Sequence, residues 1–129
     1  MKQIIKILII SLIGALAFSA NVFSEKITLN GTIKGASCVI NKTYCPEDYS
    51  DPHLALENTF VLVDDTNNYF FLSNLGKIMK MKLLNKKIHL EGSKSGQTIY
   101  VTSVYNFKNN KIMHKIWDWA EIQKSMRRN

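Results

Sequence analysis

The stretch TFVLVDDTNNYFFLSNLGKIMKMKLLNKKIHLEG, residues 59–92, sets the order of elements for the whole chain. Phe60, Val61, Leu62 and Val63 form a β-branched and aromatic run, and Tyr69, Phe70, Phe71 and Leu72 form a second. Asp64, Asp65, Thr66, Asn67 and Asn68 lie between them. Such short polar side chains bond to nearby backbone and favour turns, so the reading is strand, turn, strand. Neither run alternates, so each strand needs cover on both faces. The period then changes. Leu75, Ile78, Met79 and Leu83 share one helical face, while Lys77, Lys80 and Lys82 lie mostly off it, which predicts a short helix. Ser73 or Asn74 is placed to cap its start and Asn85 to end it. Period two returns in KKIHLEG, with Ile88 and Leu90 inward and His89 outward.

Upstream, KITLNGTIKG (residues 26–35) puts Ile27, Leu29 and Ile33 on one face of a strand, with Gly31 and Gly35 at a bend. Residues 36–55 have no period and hold both Cys, both Pro and three acids, which predicts a long connection. Downstream, SKSGQ is a turn and TIYVTSVYNF (residues 98–107) a strand, with Ile99 and Val101 opposite Tyr100 and Thr102. In the last segment Ile112, Ile116 and Trp119 repeat beside Met113, Trp117 and Ala120, which predicts an amphipathic helix over residues 111–129. That helix is expected either to cover the outer face of the second and third strands or to lie on a membrane. In the second case Lys111, Lys115, Lys124, Arg127 and Arg128 reach the headgroups.

The order is strand, long loop, strand, strand, helix, strand, strand, helix. It resembles that of the small exported bacterial OB-fold proteins. LNGTIKG, TFVLVDDTNNYFFL and LLNKKIHLEG carry the resemblance. They match a G-x-(I/V) first strand, a D-rich turn between strands two and three, and a K-(K/R)-(I/V)-x-(V/L)-x-G fourth strand. The likeness covers residues 27–105. It implies a mainly β domain over residues 25–110. The expected form is a five-stranded OB-fold-like barrel with a short helix between strands 3 and 4, followed by the C-terminal amphipathic helix. The Cys-containing first loop and the C-terminal helix depart from the pattern, so the resemblance passes on no ligand.

MKQIIKILIISLIGALAFSANVFSEK opens the chain. Lys2 and Lys6 precede an uncharged run over residues 7–18, and Val22 and Ser24 suit the −3 and −1 sites of a signal peptide cleaved before Glu25. A retained anchor is the alternative, since residues 4–23 are nearly long enough to span a bilayer. Cleavage makes the protein periplasmic or secreted and lowers the formal charge from +7 to +5. About 105 residues then remain, one domain's worth.

Cys38 and Cys45 form an even, close pair, which in an oxidising compartment predicts a disulfide. A metal site would need Asp48, Asp51 and His53 beside them, and that spacing fits no known ligand pattern.

No nucleophile, phosphate loop or histidine motif is present, so no catalytic residue, cofactor or metal is expected, and the protein is read as a non-enzyme. Six acids and no Lys or Arg lie between residues 43 and 76, whereas five Lys and no acid lie between 77 and 87. The lysines read either as a solvated helix face or as an anion-binding patch. Candidate binding residues are Phe60, Leu62, Tyr69, Phe71, Lys80, Lys82, Lys86 and Lys87. The leading expectation is an exported binding or interaction module for a protein, glycan or anionic ligand. Loop 36–55 and the outer face of strands two and three would form its contact surface. The alternative is a nucleic-acid binder using the basic and aromatic face, and export argues against it.

Overall fold

The computed structural model describes residues 24–128, and the expected signal segment up to Phe23 lies outside the described residues. Six strands form one sheet: β1 (Glu25–Gly35), β2 (Phe60–Asp64), β3 (Tyr69–Leu72), β4 (Lys87–Ser95), β5 (Thr98–Lys108) and β6 (Lys111–Asp118). Three α-helices join them: α1 (Ala36–Asn41), α2 (Lys77–Lys82) and α3 (Trp119–Met126). A 3-10 turn spans Pro52–Leu56. The domain is mainly β, as expected, but has a sixth strand.

The strand order is β3-β2-β1-β4-β5-β6, antiparallel throughout, with one further parallel pairing of β3 to β5. That pairing, Phe71↔Thr98 and Leu72↔Ile99, closes five strands into a ring. β1 serves two neighbours. Residues 25–32 pair with β4 and residues 31–35 with β2. Gly31 belongs to both ladders, and a Cβ there would lie 2.6 Å from the Val63 carbonyl oxygen. Close backbone approach therefore fixes this glycine.

Alternate residues fill the ring. Ile33, Phe60, Leu62, Phe70, Leu72, Ile88, Leu90, Ile99, Val101 and Val104 are buried in one cluster, and Ile27 and Leu29 pack against it. Leu54, Leu75, Leu83 and Leu84 from the connections complete the core. The inward sets expected for β1, β4 and β5 are therefore observed. So are the turns. Asp64 Oδ1 accepts from Thr66 N and Asn68 N, both at 2.9 Å, and Asn85 ends its segment in the left-handed region with φ 56°.

Two expectations need correction. The first is the helix between β3 and β4. It begins only at Lys77, with Gly76 and not Ser73 or Asn74 at its N-cap position and no side-chain cap, and the residues that pack on the core are Leu75, Met79, Met81 and Leu83. Ile78 is rotated about one residue off that line and is 68% exposed.

The second is the C-terminal helix. Residues 111–118 form β6, and only residues 119–126 are helical. Lys108 pairs with Lys111 across Asn109 and Asn110, whose φ values are 52° and 58°. Two positive-φ residues in a two-residue loop make the type I′ hairpin turn that matches strand twist, and Asn tolerates that region. The repeat that suggested a helix is overridden by this turn and by pairing with β5. β5 gives one edge to β4. Its other edge is shared: residues 98–99 pair with β3, and residues 103–108 with β6. Between them the Asn74 side chain stands in for a strand. Its Nδ2 donates to Val101 O at 2.6 Å, and its Oδ1 accepts from Val101 N at 2.7 Å. α3 then lies against β5, where Trp119 meets Tyr100 edge-on with centroids 6.0 Å apart. The C-terminal segment thus extends the sheet beside β5 rather than covering β2 and β3.

Candidate binding surface

The connection between β1 and β2 is long but extensively braced. Cys38 and Cys45 are disulfide-bonded with Cα atoms 5.0 Å apart, a bond suited to an oxidising compartment. Asp51 is the hub of the following turn. It accepts from Glu47 N at 3.0 Å, His53 N at 2.9 Å and Tyr44 Oη at 3.1 Å, and its Oδ1 lies 2.9 Å from His53 Nδ1. The bonds from the Glu47 and His53 amides, reinforced by the His53 and Tyr44 side chains, hold the Asp51 carboxyl at about 2. Tyr44 also packs on His53, with ring centroids 4.3 Å apart. Asn85 Nδ2 ties the turn to the ring through Pro46 O at 2.9 Å and through Glu47 O. Leu54 anchors the 3-10 turn in the core.

Glu57 closes the connection. It is buried, and its Oε1 accepts from Ser37 Oγ at 3.1 Å and from Ser37 N at 3.4 Å. Ala36 N donates to Thr59 O at 2.8 Å. A distant carboxylate therefore meets the first turn of α1, where free amides need acceptors. A Cβ at Gly35 would meet that carboxylate, so a larger residue there would have to displace Glu57 from its bonds to Ser37.

This braced segment displays apolar groups to solvent. Ile40, Tyr44, Tyr49 and Leu56 are all exposed, Leu56 by 78%. Between α1 and β3 runs an open groove of about 270 Å³, lined by Ile40, Asn41, Glu57, Asn58, Thr59 and Phe71 among others. The connection and the outer face of β3 therefore meet in one surface.

The eight expected binding residues do not form one site. Phe60 and Leu62 are in the core at 1% and 0% exposure, so they are withdrawn as contact residues. The register is the reason. Val61 opposes Phe71 and Val63 opposes Tyr69, so these four share the face away from the core cluster, where Val61 is itself fully buried and Val63, Tyr69 and Phe71 are half-buried. Tyr69 and Phe71 do face outward, half-buried, and meet edge-on at 5.9 Å. Lys80 is half-buried, and burial lowers its pKa. Lys82 and Lys86 are exposed. Lys87 pairs with Asp65 at 3.1 Å and sits 5.4 Å from the Phe107 ring centre. Burial of Lys80 and pairing of Lys87 therefore break up the lysine-rich segment as a single free patch.

Ile40 lies within the loop 36–55 that was expected to make contacts, though it was not named, whereas Leu56 and Glu57 lie just beyond that loop and were missed. Their signal was apolar residues in a segment without strand or helix period. Among the described residues, no cluster of three or more His, Cys, Asp or Glu is arranged to hold a metal. No family model, curated protein or solved structure matches this chain.

Proposed function

We propose that the protein is an exported, non-enzymatic binding module on an OB-type ring. In this reading the opening segment is a signal peptide, and the disulfide belongs to a periplasmic or secreted protein. The module recognises a partner protein through the connection between β1 and β2 and the outer face of β3. One observation carries the reading: Ile40, Tyr44, Tyr49 and Leu56 stay exposed on a segment held by a disulfide, a four-bond carboxylate hub and a side-chain clamp. Exposed apolar side chains favour association, and a rigid mount lowers the ordering cost of binding. Glu47 and Asp48 are also exposed on the same segment, which favours a partner with basic as well as apolar groups.

The test is affinity capture from an envelope extract of the native host, followed by measurement of the captured partner against variants. Tyr49→Ala with Leu56→Ala should weaken that partner at least tenfold without loss of fold, and added salt should weaken it further. Equal affinity in the double variant would remove this surface from the function.

A further inference from the structure

The β5–β6 hairpin has chemistry that the loop surface does not explain. The β4–β5 register ends at Ile88↔Asn106, so Phe107 and Lys108 continue beyond it as a two-stranded ribbon with the start of β6. At its tip Ile112 is 53% exposed and Met113 is 48% exposed. They are neighbours on a strand and so point to opposite faces. Lys108 and Lys111 flank the turn, and Lys86 and Lys87 line a cleft of about 370 Å³ with Phe107 and Met113. No acid occurs between Gly92 and Trp117.

We infer that this tip inserts into the surface of an anionic lipid bilayer, with Ile112 and Met113 below the headgroups and Lys86, Lys108 and Lys111 among the phosphates. Two observations favour a bilayer over a macromolecule. A folded partner covers one face of a ribbon, whereas a fluid interface wets both, and here both faces are apolar. The nearby aromatic faces are occupied, since Lys87 lies over Phe107 and Lys115 over Tyr105, at 5.4 and 5.6 Å. Base stacking needs such faces open. Apolar side chains beside lysines are the composition that binds anionic interfaces. The site also differs from a membrane role for α3, because Lys124, Arg127 and Arg128 follow the far end of β6.

The test is flotation of the chain from Ser24 onward, whose core is drawn from residues between Ile33 and Val104, with phosphatidylcholine vesicles containing or lacking phosphatidylglycerol. Binding should require the anionic lipid. Lys108→Gln with Lys111→Gln should weaken it about 25-fold, at about fivefold per lysine. Ile112→Ser with Met113→Ser should weaken it roughly tenfold and leave the melting temperature unchanged, since both side chains are exposed. Loop variants Tyr49→Ala and Leu56→Ala should bind vesicles normally, so failure here is separate from failure of the binding-loop reading. Undiminished flotation of either tip variant would overturn the inference. So would loss caused only by neutralising Lys124, Arg127 and Arg128, tighter binding to a single-stranded oligonucleotide than to the vesicles, or a dimer abolished by the tip variants with no vesicle binding.

Discussion

Replacing Asn74 by Ala should destabilise the domain well beyond an ordinary surface substitution. Asn74 supplies both partners for the outward-facing backbone groups of Val101, at 2.6 and 2.7 Å. Val101 is fully buried, so water does not replace either bond. A buried group left without its partner costs about 1–3 kcal/mol, and two such groups on one residue relax together, so about 3 kcal/mol is the expected loss. For a domain of this size that is a fall of roughly 12–24 °C in Tm. Asn74→Asp is the informative companion. Its carboxylate still accepts from Val101 N but faces the Val101 carbonyl with nothing to donate, so it should not restore stability. The assay is urea unfolding of both variants, with hydrogen exchange read at the Val101 amide. A change within about 0.5 kcal/mol for Asn74→Ala, the size of an ordinary surface substitution, would refute the bridging role. So would a Val101 amide that stays as protected as in the parent.

Three further outcomes follow from the same geometry. Ile78→Asp should be nearly neutral, whereas Leu75→Asp should unfold the domain, because Ile78 is 68% exposed and Leu75 only 2%; thermal melts of the pair decide it. Replacing Cys38 and Cys45 together by Ser should cost about 2.5 kcal/mol on the loop-entropy model and speed proteolysis within residues 38–45; two free thiols in the protein isolated from its host, read by mass spectrometry, would contradict the bond itself. Asp51 is held at about 2, below its ordinary 3.8, so its contribution is complete above the unfolded value and is lost as pH falls through the folded one. The melting temperature should therefore drop between about pH 4 and pH 2. The difference from Asp51→Asn isolates this carboxyl from Asp48, Asp64 and Asp118, whose values are also lowered.

Periodicity in the sequence is enough to reveal most of the ring. β1 and the first half of β5 alternate, and a strand with one wet face advertises which residues go inside, whereas β4 also buries His89, expected outward, and β5 changes parity between Val101 and Val104. The C-terminal segment was misread because Ile112, Ile116 and Trp119 satisfy a helical repeat, while the feature that decides the matter is two residues long. Asn109 and Asn110 set a hairpin only if a strand precedes and a strand follows. The second strand becomes favourable only against an edge of β5 that β3 leaves unfilled. That condition is tertiary, and local propensity does not contain it. Glu57 was hidden in a similar way. A lone acid in an irregular segment reads as surface, and its burial depends on α1 presenting Ser37 to it from twenty residues away.

The facing of β2 and β3 was obscured for a different reason. Residues 60–63 and 69–72 are apolar or aromatic at every position, so the alternation that normally fixes facing is absent, and parity is left to the turn. Five residues, Asp64 to Asn68, separate Val63 from Tyr69, and those two residues pair. Val61, Val63, Tyr69 and Phe71 must then share a face, and because Phe60, Leu62, Phe70 and Leu72 fill the core that face is the outer one, on which Val61 is nonetheless covered. Grouping Phe60 and Leu62 with Tyr69 and Phe71 would require a turn one residue longer or shorter, because a one-residue slip reverses every side chain. The same parity explains why Phe71, and not Phe70, lines the groove beside Ile40. A deletion of Asn67 should therefore do more than shorten an exposed turn: it should drive Phe71 toward the core and expose Phe70, or leave β3 unpaired.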